Sequence, residues 1–461
     1  MSATPAKPAR VGRNLTEGPI LKGLLIFAVP MILTNLVQQL YSMVDVAVIG
    51  QFVGNVGTVG VNVGGEMADL VAPVAMGFST AGQILIAQLV GAREEDRVKK
   101  TVGTLLTFMM GLSIILMAVA FFFYAPVLRI LNCPEDAWAQ ARNYMLITAL
   151  GYPFIFGYNA VVGILRGMGE SKRPLIFICV AAVVNIFVDI LLVAVIPLEA
   201  AGTAIATVAS QAGSFLAAFY FMWKKRDQFD FELKRSYFKL DLDIMKILVK
   251  LGIPQVVRTM LVRVGQIWVN SNANSFGMVV SGTNGVGNKL QKFLEVFVQG
   301  IDGAAAAMIG QNLGARQLDR AKKITIYTWL SATACAAFSA LICLVIPHPI
   351  FRIFTKDEAV IALGATFLRI FCIHFFASAF TGSFQAMVTG CGFVELGFAI
   401  GILDGLVCKI GLSWLFMTVF QMGYLGLWWG VACSRILPGC ISLFYFLSGK
   451  WKTRKLLTEK K

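Results

Sequence analysis

Residues 88–100 read QLVGAREEDRVKK, and residues 311–323 read QNLGARQLDRAKK. Eight of these thirteen positions are identical, at a fixed offset of 223. The likeness extends well beyond the motif. PVLRILNCPE (126–135) answers PIFRIFTKDE (349–358), RGMG (166–169) answers TGCG (389–392), and Gly77 answers Gly300. Near the start the offset is 224, where AVPMILTNL (28–36) answers GIPQVVRTM (252–260). The chain is therefore one unit written twice, over about 21–223 and 245–448.

Composition says what kind of unit this is. Of 461 residues, 57% are apolar and only 14% charged, and the mean hydropathy is +0.74. So few charges cannot cover a globule in water, so much of the outside faces lipid. A helix needs about 20 apolar residues to cross the hydrocarbon. Twelve such runs are readable, at 24–48, 57–88, 102–124, 143–165, 175–196, 201–222, 248–273, 279–311, 325–346, 361–387, 393–419 and 424–448. They lack the alternation of barrel strands, and in lipid a lone segment satisfies its backbone only as a helix. Six spans per copy make both copies enter from the same side, as parallel repeats. The fold class expected is all-α integral membrane, with twelve transmembrane helices in two parallel six-helix repeats. The divisions are a cytoplasmic segment 1–23, a first lobe 24–223, a linker 224–247, a second lobe 248–448 and a basic tail 449–461. The opening motif is then the cytoplasmic turn after the second span of each lobe, with Gly91 or Gly314 ending the helix.

The net charge of +15 is a topology signal, and no nucleic-acid partner is expected. Segments 1–23, 91–100, 166–174, 224–250, 314–323 and 449–461 hold 29 of the 40 Lys and Arg, whereas the opposite side holds about five. Positive residues stay inside, which puts both termini in the cytoplasm. The polar opening segment, 1–23, does not read as a cleaved signal peptide. Nine cysteines and two histidines show no metal or haem spacing. No nucleophile–base set or phosphate loop stands out, so an enzyme is not expected. GVNVGG (60–65) lies within a span and suits close helix packing.

Carboxylates inside the membrane are costly and mark function by default. Asp45 lies about 21 residues into span 1 and Asp189 about 15 into span 5, so at ~1.5 Å per residue both fall in the outer half of the membrane. Asn185 precedes Asp189 by one turn and shares its face. Thr207, entering from outside on span 6, reaches a similar depth. The fixed offsets put Val269, Cys408, Leu412 and Val431 at the matching places of the second lobe. Two acids close together in low dielectric do not both ionise cheaply, so one is suited to take up and release a proton. The same oxygens suit Na⁺, and the coupling ion stays open between the two. One charge moved through about 100 mV supplies ~2.3 kcal/mol, a gradient of about 50-fold.

Span 7 carries Arg258 and Arg263, about 140° apart on a helix, while span 8 carries Lys289, Lys292, Glu295 and Asp302. Two readings follow. The arginines pair with Glu295 or Asp302 across neighbouring helices, or they line a basic cavity that takes anionic or zwitterionic substrates. Pro30 and Pro254 sit inside spans 1 and 7 and are expected to bend them.

MVDVAVIG (43–50), VGAR (90–93), ILRGMGESKRP (164–174), NIFVDILL (185–192) and AGTAIATVAS (201–210) together resemble the multidrug and toxic compound extrusion (MATE) transporters, in particular their DinF-like branch. The resemblance covers almost the whole chain. It implies a V-shaped bundle around a central cleft and export of amphipathic drugs by antiport with H⁺ or Na⁺. It also implies a first-lobe cation site of Asp45, Asn185, Asp189 and Thr207, with no cofactor beyond the coupling ion. The NorM-like branch adds acids on spans 7 and 10, and neither span has one here. In the same reading Gln38, Tyr41 and Asn159 contact substrate in the first lobe, beside Tyr158 and abundant Phe and Met. The expected partners are small amphipathic molecules and membrane lipids, the expected state a monomer, and the expected place a bacterial inner membrane. The alternative is a flippase or exporter of a lipid-linked saccharide or another anionic amphiphile, using Arg258 and Arg263.

Overall fold

The computed structural model describes residues 12–225 and 239–458; the side chains of residues 42, 45–47, 49 and 55 also lie outside the description. Residues 1–11 of the first segment, 226–238 of the linker and 459–461 of the tail are thus not described. Among the described residues the regular structure is entirely helical. Six helices form the first repeat: α1 (Ile20–Phe52), α2 (Gly54–Gly91), α3 (Glu95–Ile130), α4 (Glu135–Leu150 and Tyr152–Gly167, bent by 46°), α5 (Lys172–Val195) and α6 (Glu199–Lys224). Six more form the second: α7 (Leu242–Ser275), α8 (Met278–Gly314), α9 (Leu318–Val345), α10 (Glu358–Gly390), α11 (Val394–Val419) and α12 (Gly423–Leu447).

Ten of these are long and apolar enough to cross a membrane, and bent α4 makes eleven. The twelfth, α7, has the length at 34 residues but not the hydropathy. Several of its polar residues have partners within the bundle. Asn270 Oδ1 accepts hydrogen bonds from Gln266 (3.1 Å) and from Asn284 (3.0 Å) and Asn288 (3.1 Å) of α8. Interhelical amide bonds of this kind hold helices together where lipid gives no hydrophobic drive.

Two compact units are present: residues up to Asn14 with Leu33–Ile253, and Leu15–Ile32 with Pro254 onward. In this division the residues opening the first repeat count with the second unit, and those opening α7 count with the first. The boundaries fall beside Pro30 and at Pro254, where the missing N–H interrupts the helical ladder. Phe27, Ala28 and Met31 belong to the second unit's core with Ile301 and Ala304. Gly300 lets Ile32 come so close that a Cβ there would meet the Ile32 backbone at 2.9 Å. In the first unit, Gly252 plays the same part against the Phe78 ring.

The repeated motif has a role in this exchange. At its second copy, Gln311 Oε1 accepts from the Leu15 N–H (3.2 Å), and Asn312 donates to the Leu15 carbonyl (3.1 Å). Arg320 donates to the Glu17 carbonyl (2.9 Å). The motif thus clamps the chain that leads into α1. Helices α2 and α8 end at Gly91 and Gly314 as expected, but the left-handed residue of each turn is Arg93 (φ 61°) or Arg316 (φ 59°). The 6→1 bonds Glu94 N–H to Leu89 O (3.0 Å) and Gln317 N–H to Asn312 O (2.8 Å) close both turns. Replacing Gln311 by Ala strands the buried Leu15 N–H, a cost of about 1–3 kcal/mol. Hydrogen exchange at Leu15 should then accelerate about tenfold or more, while amides in the middle of α10 keep their protection.

Candidate functional site

Helix α5 has two unlike faces. Val180, Val183 and Phe187 are 58, 70 and 68% exposed, which in a bilayer is the lipid face. Asn185 (1%) and Asp189 (0%) lie on the opposite, buried face. An ionisable group hidden from lipid is the arrangement that makes it affordable. Immediately after Asp189 the helix widens into a π turn, Ile190–Val195. Such turns often accompany functional sites.

Helix α6 packs antiparallel on α5. A Cβ at Gly202 would touch the Leu192 carbonyl oxygen at 2.9 Å and the Val193 side chain at 3.2 Å, which fixes the level of the two helices. Counting inward from that contact brings Thr207, half-buried, near the level of Asp189. Its carbonyl accepts from Ser210 Oγ (2.9 Å). Thr203, one turn outward from Thr207, is 1% exposed, and its hydroxyl has no hydrogen-bond partner among the described residues. Neither polar atom of the Asn185 amide has one either. Buried polar atoms without partners are rare and call for an explanation, such as an ion or water. Thr203 was not singled out from sequence, although two threonines four residues apart in AGTAIATVAS share a helix face.

Asp45 lies within α1, and its side chain is outside the described residues. Gln38 and Tyr41, earlier on α1, are half-buried. Asn159 is half-buried and tied to its surroundings. Its side-chain amide donates to Ile155 O (2.8 Å), and its backbone carbonyl accepts from Ser79 Oγ (2.6 Å). Tyr158 is buried, with its hydroxyl donating to Pro174 O (3.4 Å).

The second unit holds a charged network centred on Glu295 and Arg435. Glu295 of α8 pairs with Arg435, at the break in α12 (2.5 Å). Arg435 Nε also lies 3.7 Å from Asp404 of α11. Ser378 Oγ of α10 donates to Glu295 Oε1 (2.8 Å), Arg435 also donates to Ser378, and His374 Nε2 lies 3.9 Å from Glu295. Arg435, reaching in from α12, is thus the close partner of Glu295, a cation that neither reading of Arg258 and Arg263 included. The Asp302 carboxylate sits against Gly382 of α10. The stem of Arg258 packs on Gly401 of α11. Arg263 is half-buried on α7.

The fixed-offset matching also needs correction. Helix α11 contains a π turn at Leu403–Cys408, whereas the matching part of α5 is plain α-helix. The turn adds one residue, so beyond it the offset becomes 224. The outer π turns, Ile190–Val195 and Leu415–Val419, then correspond, as do the contacts of Gly202 with Leu192 and of Gly426 with Phe416. The partners of Asn185 and Asp189 are therefore Lys409 and Ser413 rather than Cys408 and Leu412. A Cβ at Gly430 would strike Ser413, which fixes the level of α12 on α11 there.

Comparison with known proteins fits this duplicated architecture. A family model described as MatE matches the chain twice, over residues 30–191 and 254–415. The chain belongs to the MatE family. The two matched stretches are the two repeats, and each begins at the proline inside the first helix of its repeat, Pro30 or Pro254. Among relatives of this MatE protein, a probable multidrug resistance protein, YoeA of Bacillus subtilis (strain 168), is 26% identical over 452 residues, covering 97% of each chain. The probable multidrug resistance protein NorM of Thermotoga maritima is 21% identical over 454 residues, covering 96% of this chain and 95% of that one. A solved structure described as the outward-facing conformation of a multidrug resistance MATE family transporter superposes with a TM-score of 0.90. It shares 20% identity and covers 97% of this chain and all of its own, so the MatE fold is common to both.

Proposed function

We propose that this MatE protein is a secondary active multidrug exporter, exchanging amphipathic organic compounds for H⁺ or Na⁺ by alternating access. In this reading the coupling ion binds Asp45, Asn185, Asp189 and Thr207, with the Thr203 hydroxyl beside them. Gln38, Tyr41 and Asn159 contribute to the substrate surface of the first lobe. One observation carries the proposal: a carboxylate and an unsatisfied amide stand one turn apart on the buried face of a lipid-exposed helix. The names of the relatives support the substrate class. The protein acts as a monomer in a cytoplasmic (inner) membrane, with both termini on the cytoplasmic side.

The test uses purified protein in liposomes with a fluorescent lipophilic cation as cargo. A pH gradient and a sodium gradient are imposed separately. One gradient should drive accumulation at least about tenfold above protein-free liposomes, within the ~50-fold that one charge at about 100 mV permits. Accumulation under neither gradient would remove the antiport reading.

A further inference from the structure

After α12 the chain folds back onto its own unit. Gly449 takes a left-handed turn (φ 67°), and Lys450–Lys452 follow as a 3₁₀ turn. Trp451 in that turn is 1% exposed, and its indole N–H donates to the Phe446 carbonyl (2.9 Å). The two rings lie parallel, with centres 6.3 Å apart. Farther on, the Arg454 guanidinium lies 3.6 Å from the centre of the Phe393 ring and 3.3 Å from a Glu395 oxygen. Leu456 is buried, and Leu457 packs on Gly392, where a Cβ would meet it at 2.8 Å. Residues 449–458 thus form a strap held across the turn between α10 and α11.

The strap is apolar toward the protein and cationic away from it. A 3₁₀ turn rotates about 120° per residue, so with Trp451 inward both Lys450 and Lys452 point outward. Both are exposed. The Lys452 ammonium rests 5.7 Å from the centre of the Trp451 ring, which restrains it. No acid occurs between Ile436 and Thr458. Among the described residues neither ammonium has a carboxylate within 4.0 Å.

Helix α12 sets their depth. Leu437, Phe444 and Leu447 form one stripe, 50, 74 and 70% exposed, which on a spanning helix is the lipid face. Lys450 follows Leu447 by three residues, roughly 5–6 Å farther along the chain axis. The headgroup layer is about 5–7 Å deep on each side of the hydrocarbon. Lys450 therefore falls among the lipid phosphates, and the long stem of Lys452 reaches the same layer.

We propose that Lys450 and Lys452 form a docking site for the phosphate of an anionic phospholipid, whose acyl chains lie along Phe444 and Leu447. Lysine binds phosphate as a point charge, and a lysine at a membrane surface strengthens anionic-lipid binding about fivefold. The other basic residues on this side set topology; this pair differs in standing on a fixed strap. The site goes beyond the exporter reading and is independent of it, since lipid binding needs no gradient.

The test uses the full-length protein in phosphatidylcholine nanodiscs with a trace of acyl-dansyl phosphatidylglycerol. Energy transfer from tryptophan to dansyl is followed as unlabelled phosphatidylglycerol is added. Transfer should exceed that to acyl-dansyl phosphatidylcholine and be competed away. Replacing both lysines, Lys450→Gln with Lys452→Gln, should raise the half-competing mole fraction at least about tenfold, and arginine at both positions should restore it. Lys322→Gln with Lys323→Gln removes the same charge from exposed residues at the start of α9 and should change it less than about twofold. Phosphatidylglycerol should also raise the unfolding temperature of wild type but not of the Lys450→Gln/Lys452→Gln protein. If that protein fails to fold, Lys450→Gln alone, with about a fivefold effect, carries the comparison. No excess transfer in wild type, or equal competition in wild type and the folded glutamine variant, overturns the site. An equal loss in the Lys322→Gln/Lys323→Gln protein also overturns it, because diffuse charge would then suffice. Displacement of the labelled lipid by inorganic phosphate, beyond that by chloride of equal ionic strength, would assign the lysines to a free anion and overturn the lipid assignment.

Discussion

Exchanging Asp189 for asparagine is expected to abolish gradient-driven efflux while leaving the protein folded. Asparagine has nearly the shape of aspartate, so the packing around a fully buried position is kept. What disappears is the ability to hold a cation or exchange a proton beside Asn185 and Thr203. If one coupling charge is lost, the ~2.3 kcal/mol that a 100 mV potential delivers per cycle is lost with it. The steady-state concentration ratio should fall from tens toward one, a loss of roughly 10- to 50-fold. Dye efflux from energised membrane vesicles measures this, with unfolding temperature as the control for fold. Asp189→Glu keeps the charge and should retain part of the activity. Efflux by Asp189→Asn equal to wild type would exclude this site as the coupling centre.

The largest stability effect is expected at Glu295. This carboxylate is 5% exposed and is held by Arg435 at 2.5 Å and Ser378 at 2.8 Å. Glu295→Gln leaves the guanidinium with more distant acids, Asp404 at 3.7 Å and Asp302, and costs about 3–5 kcal/mol, as breaking one side of a buried pair does. For a unit of this size the unfolding temperature should drop on the order of 10 °C. Removing both members together, as Glu295→Gln with Arg435→Met, should cost less than the sum of the single changes, because no uncompensated charge remains. Thermal unfolding of the four proteins in detergent completes the cycle. Strict additivity would show that the pair is not a coupled unit.

These two sites differ in how far the sequence exposes them, and the reason is physical. Long apolar runs and a copied turn motif are direct consequences of the bilayer and of duplication, so the twelve-helix repeat was legible. Helix α7 was legible among the apolar runs and by its place in the repeat, although half-buried Asn270 and the arginines lower its hydropathy. Asn185 and Asp189 stood out because a carboxylate among lipid-facing valines needs a purpose. The Glu295–Arg435 pair was hidden, since its members are 140 residues apart and every nearby cation was an equally good candidate. Lys409 was hidden for a subtler reason: one extra residue in a π turn leaves no mark in the amino-acid string, yet it moves every later position by one.

The helical exchange at Pro30 and Pro254 bears on how a ribosome makes the molecule. When the first repeat has left the exit tunnel, its opening helix has no finished surface to settle on, because that surface is encoded in the second half of the gene. Cutting the gene at the linker should therefore yield two fragments that are each short of a piece, and that regain activity only when made in the same cell.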